Sequence, residues 1–218
     1  MTVNGGPLFG TIDDILWWIS QPTEMQQRAS LAIELDGARY AVEPVDCAGL
    51  DDRLAEHGGI EGVLVLMDRH SRDARKIAAR HDVPVYAPVG ADQIADSIGG
   101  PIASFDAGES FELRWLHEGR FQEELALFRP DDETLFVPET LGRAPYFTAT
   151  AERIGIHPMA RIRPPRAKLS GLSVARLFFG HGRPIADVAD REIDHTLQMA
   201  GRRLPSAMYN GFRAWLPW

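Results

Sequence analysis

GVLVLMDRHSRDARKIAARHDVPVYAP, residues 62–88, is the stretch from which the rest of the chain can be read. Its opening run, 63–67, is apolar without a break, and a run that short reads as a strand buried on both faces. Six polar residues follow, Asp68-Arg69-His70-Ser71-Arg72-Asp73. The next segment places Ala74, Ile77 and Ala78 on one helical face at i, i+3 and i+4. Ser71 is the expected N-cap, and Asp73 lies where the positive end of the helix dipole favours a carboxylate. A second short strand, 83–86, leads to Pro88. The unit is strand, turn, helix, strand, with its most polar residues where the first strand hands over to the helix. α/β proteins place ligand sites at such junctions.

Towards the N-terminus, 12–19 is an aromatic and β-branched run that reads as a strand, although Thr11-Ile12-Asp13-Asp14 could start a helix instead. Asp36-Gly37, between apolar 31–35 and 38–42, is the strongest hairpin signal in the chain. Glu43-Pro44 follows at the strand end, and 50–57 reads as a short helix closed by Gly58-Gly59. Towards the C-terminus, 91–98 is a second helix and 111–116 alternates as a half-exposed strand. Strands 124–128 and 134–137 are joined by a Pro-Asp turn. The segment 143–170 is irregular and rich in Pro and Arg. A short buried strand, 177–179, runs into Gly180-His181-Gly182. Ile185, Val188, Ala189, Ile193, Leu197 and Ala200 give 185–202 the spacing of one helix. Trp215 and Trp218 are expected to pack the tail onto the body.

The 218 residues, 44% hydrophobic and 25% charged, suit one globular domain spanning 1–218. A net charge of −8 argues against nucleic acid as the main partner. The single cysteine, Cys47, excludes an intrachain disulfide and reads as an inert, partly buried thiol. No apolar segment reaches the roughly 18–20 residues a membrane span needs, and residues 1–10 lack the pattern of a signal peptide. A cytoplasmic protein, with no membrane partner, is expected. The basic segment Arg161 to Lys168 reads as a solvated connector that could line a cleft for anions. Alternating elements and recurring hairpins give a mixed α/β class.

The same residues carry a resemblance. The turn 68–73 resembles the His-x-His-x-Asp-His turn of the metallo-β-lactamase-fold hydrolases, and the likeness extends over roughly residues 8–200. It implies a four-layer αββα sandwich. It also assigns ancestral metal-site positions, here filled by Asp68, His70, Arg72, Asp73, Arg120, Glu139 and His181. Of the turn's ligand positions only His70 keeps the family residue, whereas Gly180-His181-Gly182 is intact. Glu139 stands at the family's metal-bridging position, and Arg120 and Arg72 stand where ligands are expected.

A guanidinium is permanently protonated and has no lone pair to give a metal. At ~4 Å and an effective dielectric of ~20 it opposes a divalent ion by roughly 8 kcal/mol. The expectation is therefore that Arg72 and Arg120 neutralise Asp68, Asp73 and Glu139 through bidentate bonds, with no cofactor. That makes the chain a metal-free, non-catalytic binding or scaffold protein for a small molecule or anion. The alternative keeps one Zn, Fe or Mn ion on Asp68, His70, Asp73, Glu139 and His181, in a hydrolase of an ester, thioester, lactam or phosphoester. An RNA-directed nuclease is a weaker third reading. His57, His81, His117, His157 and His195 show no paired metal spacing and read as structural or exposed. The Trp-rich ends could serve a homo-oligomer interface.

Overall fold

The computed structural model describes residues 5–215, without the side chains of 211–215. Its first half is one sheet in strict sequence order. β1 (Leu8–Ile12), β2 (Ile15–Ile19), β3 (Ala29–Leu35) and β4 (Ala38–Val42) form an antiparallel meander. After α1 (Leu50–Glu56) the direction changes. β5 (Gly62–Leu64), α2 (Ala74–His81), β6 (Val85–Pro88), α3 (Asp92–Ile98) and β7 (Ala103–Phe105) continue the sheet in parallel, helices serving as crossovers. The expected strand 12–19 is in fact the second arm of a hairpin, turned at Asp13-Asp14, with Asp13 at φ 51°. The Asp36-Gly37 turn forms as read, both residues at positive φ.

The second half builds a smaller sheet. β8 (Glu112–Gly119), β9 (Gln122–Arg129) and β10 (Thr134–Val137) are antiparallel neighbours. The short pair β11 (Leu141–Gly142) and β12 (Gly155–Ile156) follows, then α4 (Arg166–Leu169). β13 (Arg176–Phe179) returns parallel to β10, and α5 (Glu192–Met199) and α6 (Leu204–Trp215) close the chain.

Side-chain alternation shows how the layers stack. Along β9, Leu125 and Leu127 enter the core shared with the large sheet, whereas Ala126 and Phe128 face a second core with α5. Phe136 and Phe178 repeat the first orientation, and Leu135, Val137, Leu177 and Phe179 the second. A sheet with apolar residues on both faces must be covered on both. The other sheet covers one face, and Leu169, Ile193 and Leu197 on α4 and α5 cover the other. The large sheet carries Ile77 of α2 and Ile94 of α3 in its own core.

Two expectations need correction. α2 starts at Ala74 with Asp73, not Ser71, at its N-cap, and the Asp73 carboxylate accepts from Asp46 N at 2.9 Å instead of capping the helix. The proposed helix 185–202 begins only at Glu192. Ile185 and Leu177 exchange backbone hydrogen bonds at 2.8 Å, and Arg191 takes a left-handed φ of 58°. The apolar spacing of Ile185 and Val188 was real, but extended chain packs those residues into the second core. Tail packing by Trp215 and Trp218 lies outside what is described. Among the described residues, no helix is long and apolar enough to cross a membrane.

Candidate metal centre

Chain ends of both sheets meet at one polar cluster. The segment after β5 runs beside β9, with Leu125 N donating to Leu66 O at 2.9 Å and Asp68 N to Glu123 O at 3.2 Å. This brings His70 against Glu139, which follows β10. β13 then delivers His181. Gly180 and Gly182 are what let it fit. A Cβ on Gly180 would stand 2.2 Å from Pro138 O, and Gly182, at φ 94°, would place one 2.5 Å from Ala144 N. Both contacts are with backbone and cannot swing aside. Gly180→Ala is expected to cost about 1–3 kcal/mol of stability by overpacking. Urea unfolding checks this, and a stability within about 0.5 kcal/mol of the parent would show that the backbone yields there.

His70, Glu139 and His181 are 5%, 8% and 2% exposed. Glu139 Oε2 lies 3.0 Å from His70 Nε2 and 2.9 Å from His181 Nε2, and the two nitrogens are 3.2 Å apart. The outer side of each imidazole is already committed. His70 Nδ1 is 2.6 Å from Glu43 Oε2 and His181 Nδ1 is 2.9 Å from the carbonyl of Gln26. A carbonyl only accepts, so His181 carries its proton on Nδ1. The Glu43 carboxylate fixes the same tautomer on His70. Both Nε2 lone pairs therefore point at a carboxylate oxygen, and three acceptors share one small space.

A single proton does not resolve that arrangement. Burial and Arg72 push the His70 pKa down, but Glu43 and Glu139 outweigh them and raise it. His181 moves the other way, lowered first by burial. Burial would raise the Glu139 carboxyl, yet wherever an Nε2 does carry a proton, His181 and His70 donate to it and hold it well below the usual carboxylate range. A proton on His70 Nε2 bridges to Glu139 or His181 and leaves those two facing each other as acceptors. A tetrahedral cation with bonds of about 2.0–2.1 Å spaces its ligand atoms by about 3.3 Å. The observed separations are close to that, and the donors are imidazole and carboxylate, so the residues present fit a metal ion.

Around the cluster stands a supporting shell. His157 receives Met159 N–H on Nδ1 at 3.3 Å, so its proton sits on Nε2, 3.3 Å from Glu139 Oε1. Burial, then Arg69, His117 and His70, lower the pKa of His157 against the pull of Glu139. Fully buried Glu124 accepts from Glu139 N, Thr140 N and the Thr140 hydroxyl at 2.7–2.8 Å, fixing the chain on which Glu139 rides. Glu43 is also wholly buried, at a left-handed φ of 48°.

The arginine-neutralised cleft expected from the sequence does not form. Arg72 donates to three carbonyls instead, Ala29 O at 2.6 Å and Glu43 O and Gly180 O at 3.0 Å. It sews the strands that carry Glu43 and His181 together. Arg120 is exposed at the β8–β9 hairpin turn, away from the cluster, because Gly119↔Gln122 is the last pair of the ladder. Asp73 is held by Asp46 N. Asp68 stays outside the cluster. Its Oδ1 is buried without a hydrogen bond, 4.0 Å from Arg69. Of the expected set the structure brings together His70, Glu139 and His181. Sequence reasoning missed Glu43 as a partner, although Glu43-Pro44 stood at a noted strand end. It also missed His157, which lies in irregular chain with no periodicity to mark it. Cys47 is half-buried, and burial pushes its thiol up to about 11, in keeping with an inert side chain.

A two-sheet sandwich with helices outside and a His-Glu-His cluster at the strand ends is the metallo-β-lactamase fold, and comparison with solved structures supports that assignment. The chain is similar to DIM-1 metallo-β-lactamase exposed to ceftazidime, with TM-score 0.61 and 14% identity over 93% of this chain and 98% of that one. It is similar to the metallo-β-lactamase FIM-1 from Pseudomonas aeruginosa in its mono-zinc form, with TM-score 0.57 and 10% identity over 91% and 96%. The metal-soaked Flv1 flavodiiron core from Synechocystis also matches, with TM-score 0.59 and 14% identity over 90% of this chain and 61% of that one. No protein-family model and no curated protein matches the sequence.

Proposed function

We propose that this protein is a metal-dependent hydrolase of the metallo-β-lactamase fold that works with one divalent first-row ion. His70 Nε2, Glu139 Oε2 and His181 Nε2 would hold the ion. The observation that carries the reading is the mutual approach of three acceptors within 3.2 Å, each fixed from behind. Three protein ligands leave a position open, the pattern of catalytic zinc sites, whereas structural sites are closed by four. A cavity of about 410 Å³ opens on the cluster and gives that position access. Such an ion lowers the pKa of bound water and polarises a carbonyl or phosphoryl oxygen.

The chain's own residues do the rest. Glu43 and the Gln26 carbonyl aim the two imidazoles, and His157 lies beside Oε1 of Glu139, the oxygen that does not face them. Carboxylate partners of metal-bound histidines typically contribute ~10–100-fold to affinity. Glu43→Gln, which keeps the shape and removes the charge, is therefore expected to weaken Zn2+ binding by about that factor. Competition with a chromophoric chelator measures it. An unchanged affinity would mean that Glu43 only closes the core.

One observation favours a metal-free binding role instead, namely the fixed charge of Arg72, which opposes a proton on either histidine and would equally oppose a cation between them. Elemental analysis of protein purified without chelator separates the two readings. About one equivalent of Zn, Fe or Mn supports the ion, and none, even after incubation with excess Zn2+, removes it.

A further inference from the structure

Charge is unevenly spread along this acidic chain. From Arg153 to Ala186 there is no Asp or Glu, but seven Arg or Lys. Three are committed, Arg153 to Asp187 and Glu192, Arg161 to Glu152, and Arg176 to Asp13. Arg163, Arg166 and Lys168 are exposed and have no carboxylate partner among the described residues. Arg166 gives only its Nε, to Leu197 O at 3.2 Å.

The same segment shows apolar side chains to solvent. Ile162 N donates to Met159 O at 3.3 Å, closing a turn whose Arg161 side chain is buried on Glu152. With Arg161 drawn inward, Met159 and Ile162 are held outward, 70% and 68% exposed. Phe121, 91% exposed, stands in the β8–β9 turn beside Arg120. The two tips border one cavity of about 220 Å³, lined by Gln122 from the hairpin and by Met159, Ala160 and Arg163 from the turn, with Glu139 and His157 among its walls. α4, which carries Arg166 and Lys168, packs against β8. The hairpin tip also carries an exposed acid, Glu118.

Single exposed apolar residues are ordinary on a protein surface. Three on protruding tips, set among the unpaired cations Arg120, Arg163, Arg166 and Lys168, make a specific pattern. A protein partner needs a pocket shaped for each protruding side chain. A lipid headgroup layer admits apolar tips without one and attracts cations through its surface potential. We infer that this face docks on an anionic phospholipid surface. Phe121, Met159 and Ile162 enter the headgroup layer, and the four cations meet lipid phosphates and carboxylates. The cavity beside Glu139 then opens at the lipid surface. This departs from the expectation of no membrane partner, which rested on spans; a peripheral contact needs none. It does not depend on an ion in the cluster.

The probes are sucrose-loaded vesicles of phosphatidylcholine alone and of an equal mixture of phosphatidylcholine and phosphatidylserine, sedimented with the full-length protein. Binding is expected to the mixed vesicles, to exceed that to phosphatidylcholine, and to weaken as salt is raised. Phe121→Ser should lose about 10-fold through the apolar surface no longer buried. Arg163→Gln with Lys168→Gln should lose roughly 25-fold, about 5-fold for each cation at an anionic surface. All three side chains are exposed, so circular dichroism of the variants should match the parent. No binding to the mixed vesicles overturns the assignment, as does binding by both variants equal to the parent's. A glutamate-rich peptide that binds with the same dependence on Arg163 and Lys168, while vesicles do not bind, would assign the face to an acidic protein and overturn the lipid surface.

Discussion

Glu139→Ala is expected to abolish retention of a divalent ion while leaving the protein folded. Glu139 supplies the one anionic ligand atom in the cluster, and its Oε2 is the point on which both imidazoles converge. Without it two neutral nitrogens remain beside Arg72, whose fixed charge opposes a cation. Loss of a group that only supports a ligand already weakens a site by ~10–100-fold, and removing the ligand should exceed the upper end of that range. Equilibrium dialysis against Zn2+ gives the affinity, and elemental analysis gives the content as purified. Stability should move the other way, or little, because the variant also removes a crowded acceptor. An alanine variant that holds its ion as tightly as the parent would show that the ion sits elsewhere.

The largest effect on stability is expected at Arg161, which the sequence suggested to be part of a solvated connector. The side chains of Arg161 and Glu152 are both 0% exposed. Arg161 also donates Nε to Ile156 O at 3.1 Å and Nη2 to Phe147 O at 2.7 Å, and Arg203 adds a second cation to Glu152 at 3.3 Å. This network holds the irregular chain from which His157 reaches Glu139. Removing one partner strands a buried charge, which costs about 3–5 kcal/mol. Arg161→Ala should lose that much in urea unfolding. Burial alone would raise the Glu152 carboxyl, but Arg161 and the Ala149 amide outweigh it and hold the pKa below its ordinary value. A depressed folded pKa contributes stability above the unfolded carboxylate range, near pH ~4.3, and loses it as pH falls through the folded value. The parent should therefore lose stability on the acid side more steeply than Arg161→Ala. Equal acid slopes would show that Glu152 does not owe its ionisation to Arg161.

The comparison with the sequence is instructive at single residues. His181 was legible because its glycines are a local requirement, written in three consecutive letters. His70 was legible because a polar turn between a buried strand and a helix has few alternatives. Arg120 misled because a hairpin's register decides which residue faces inward, and the two-residue turn there leaves it in solvent. Arg72 misled differently. Its position in the turn was right, but a guanidinium takes whichever acceptors lie nearest, and these proved to be carbonyls of strands distant in sequence. Glu43 and His157 act through partners 27 and 18 residues away respectively, and nothing local marks such pairs. The four-layer stacking was implied by resemblance alone, since alternation in β9 shows two apolar faces without saying what covers them.

Arg72 joins carbonyls at residues 29, 43 and 180, and the cluster it braces draws on both halves of the chain. During synthesis the nascent polypeptide thus carries His70 and Glu139 long before it has His181. Only when residue 181 has left the ribosome can the three atoms meet. On the one-ion reading, a nascent chain that stops short of residue 181 would carry two of the three ligand atoms and no closed cluster to hold a cation.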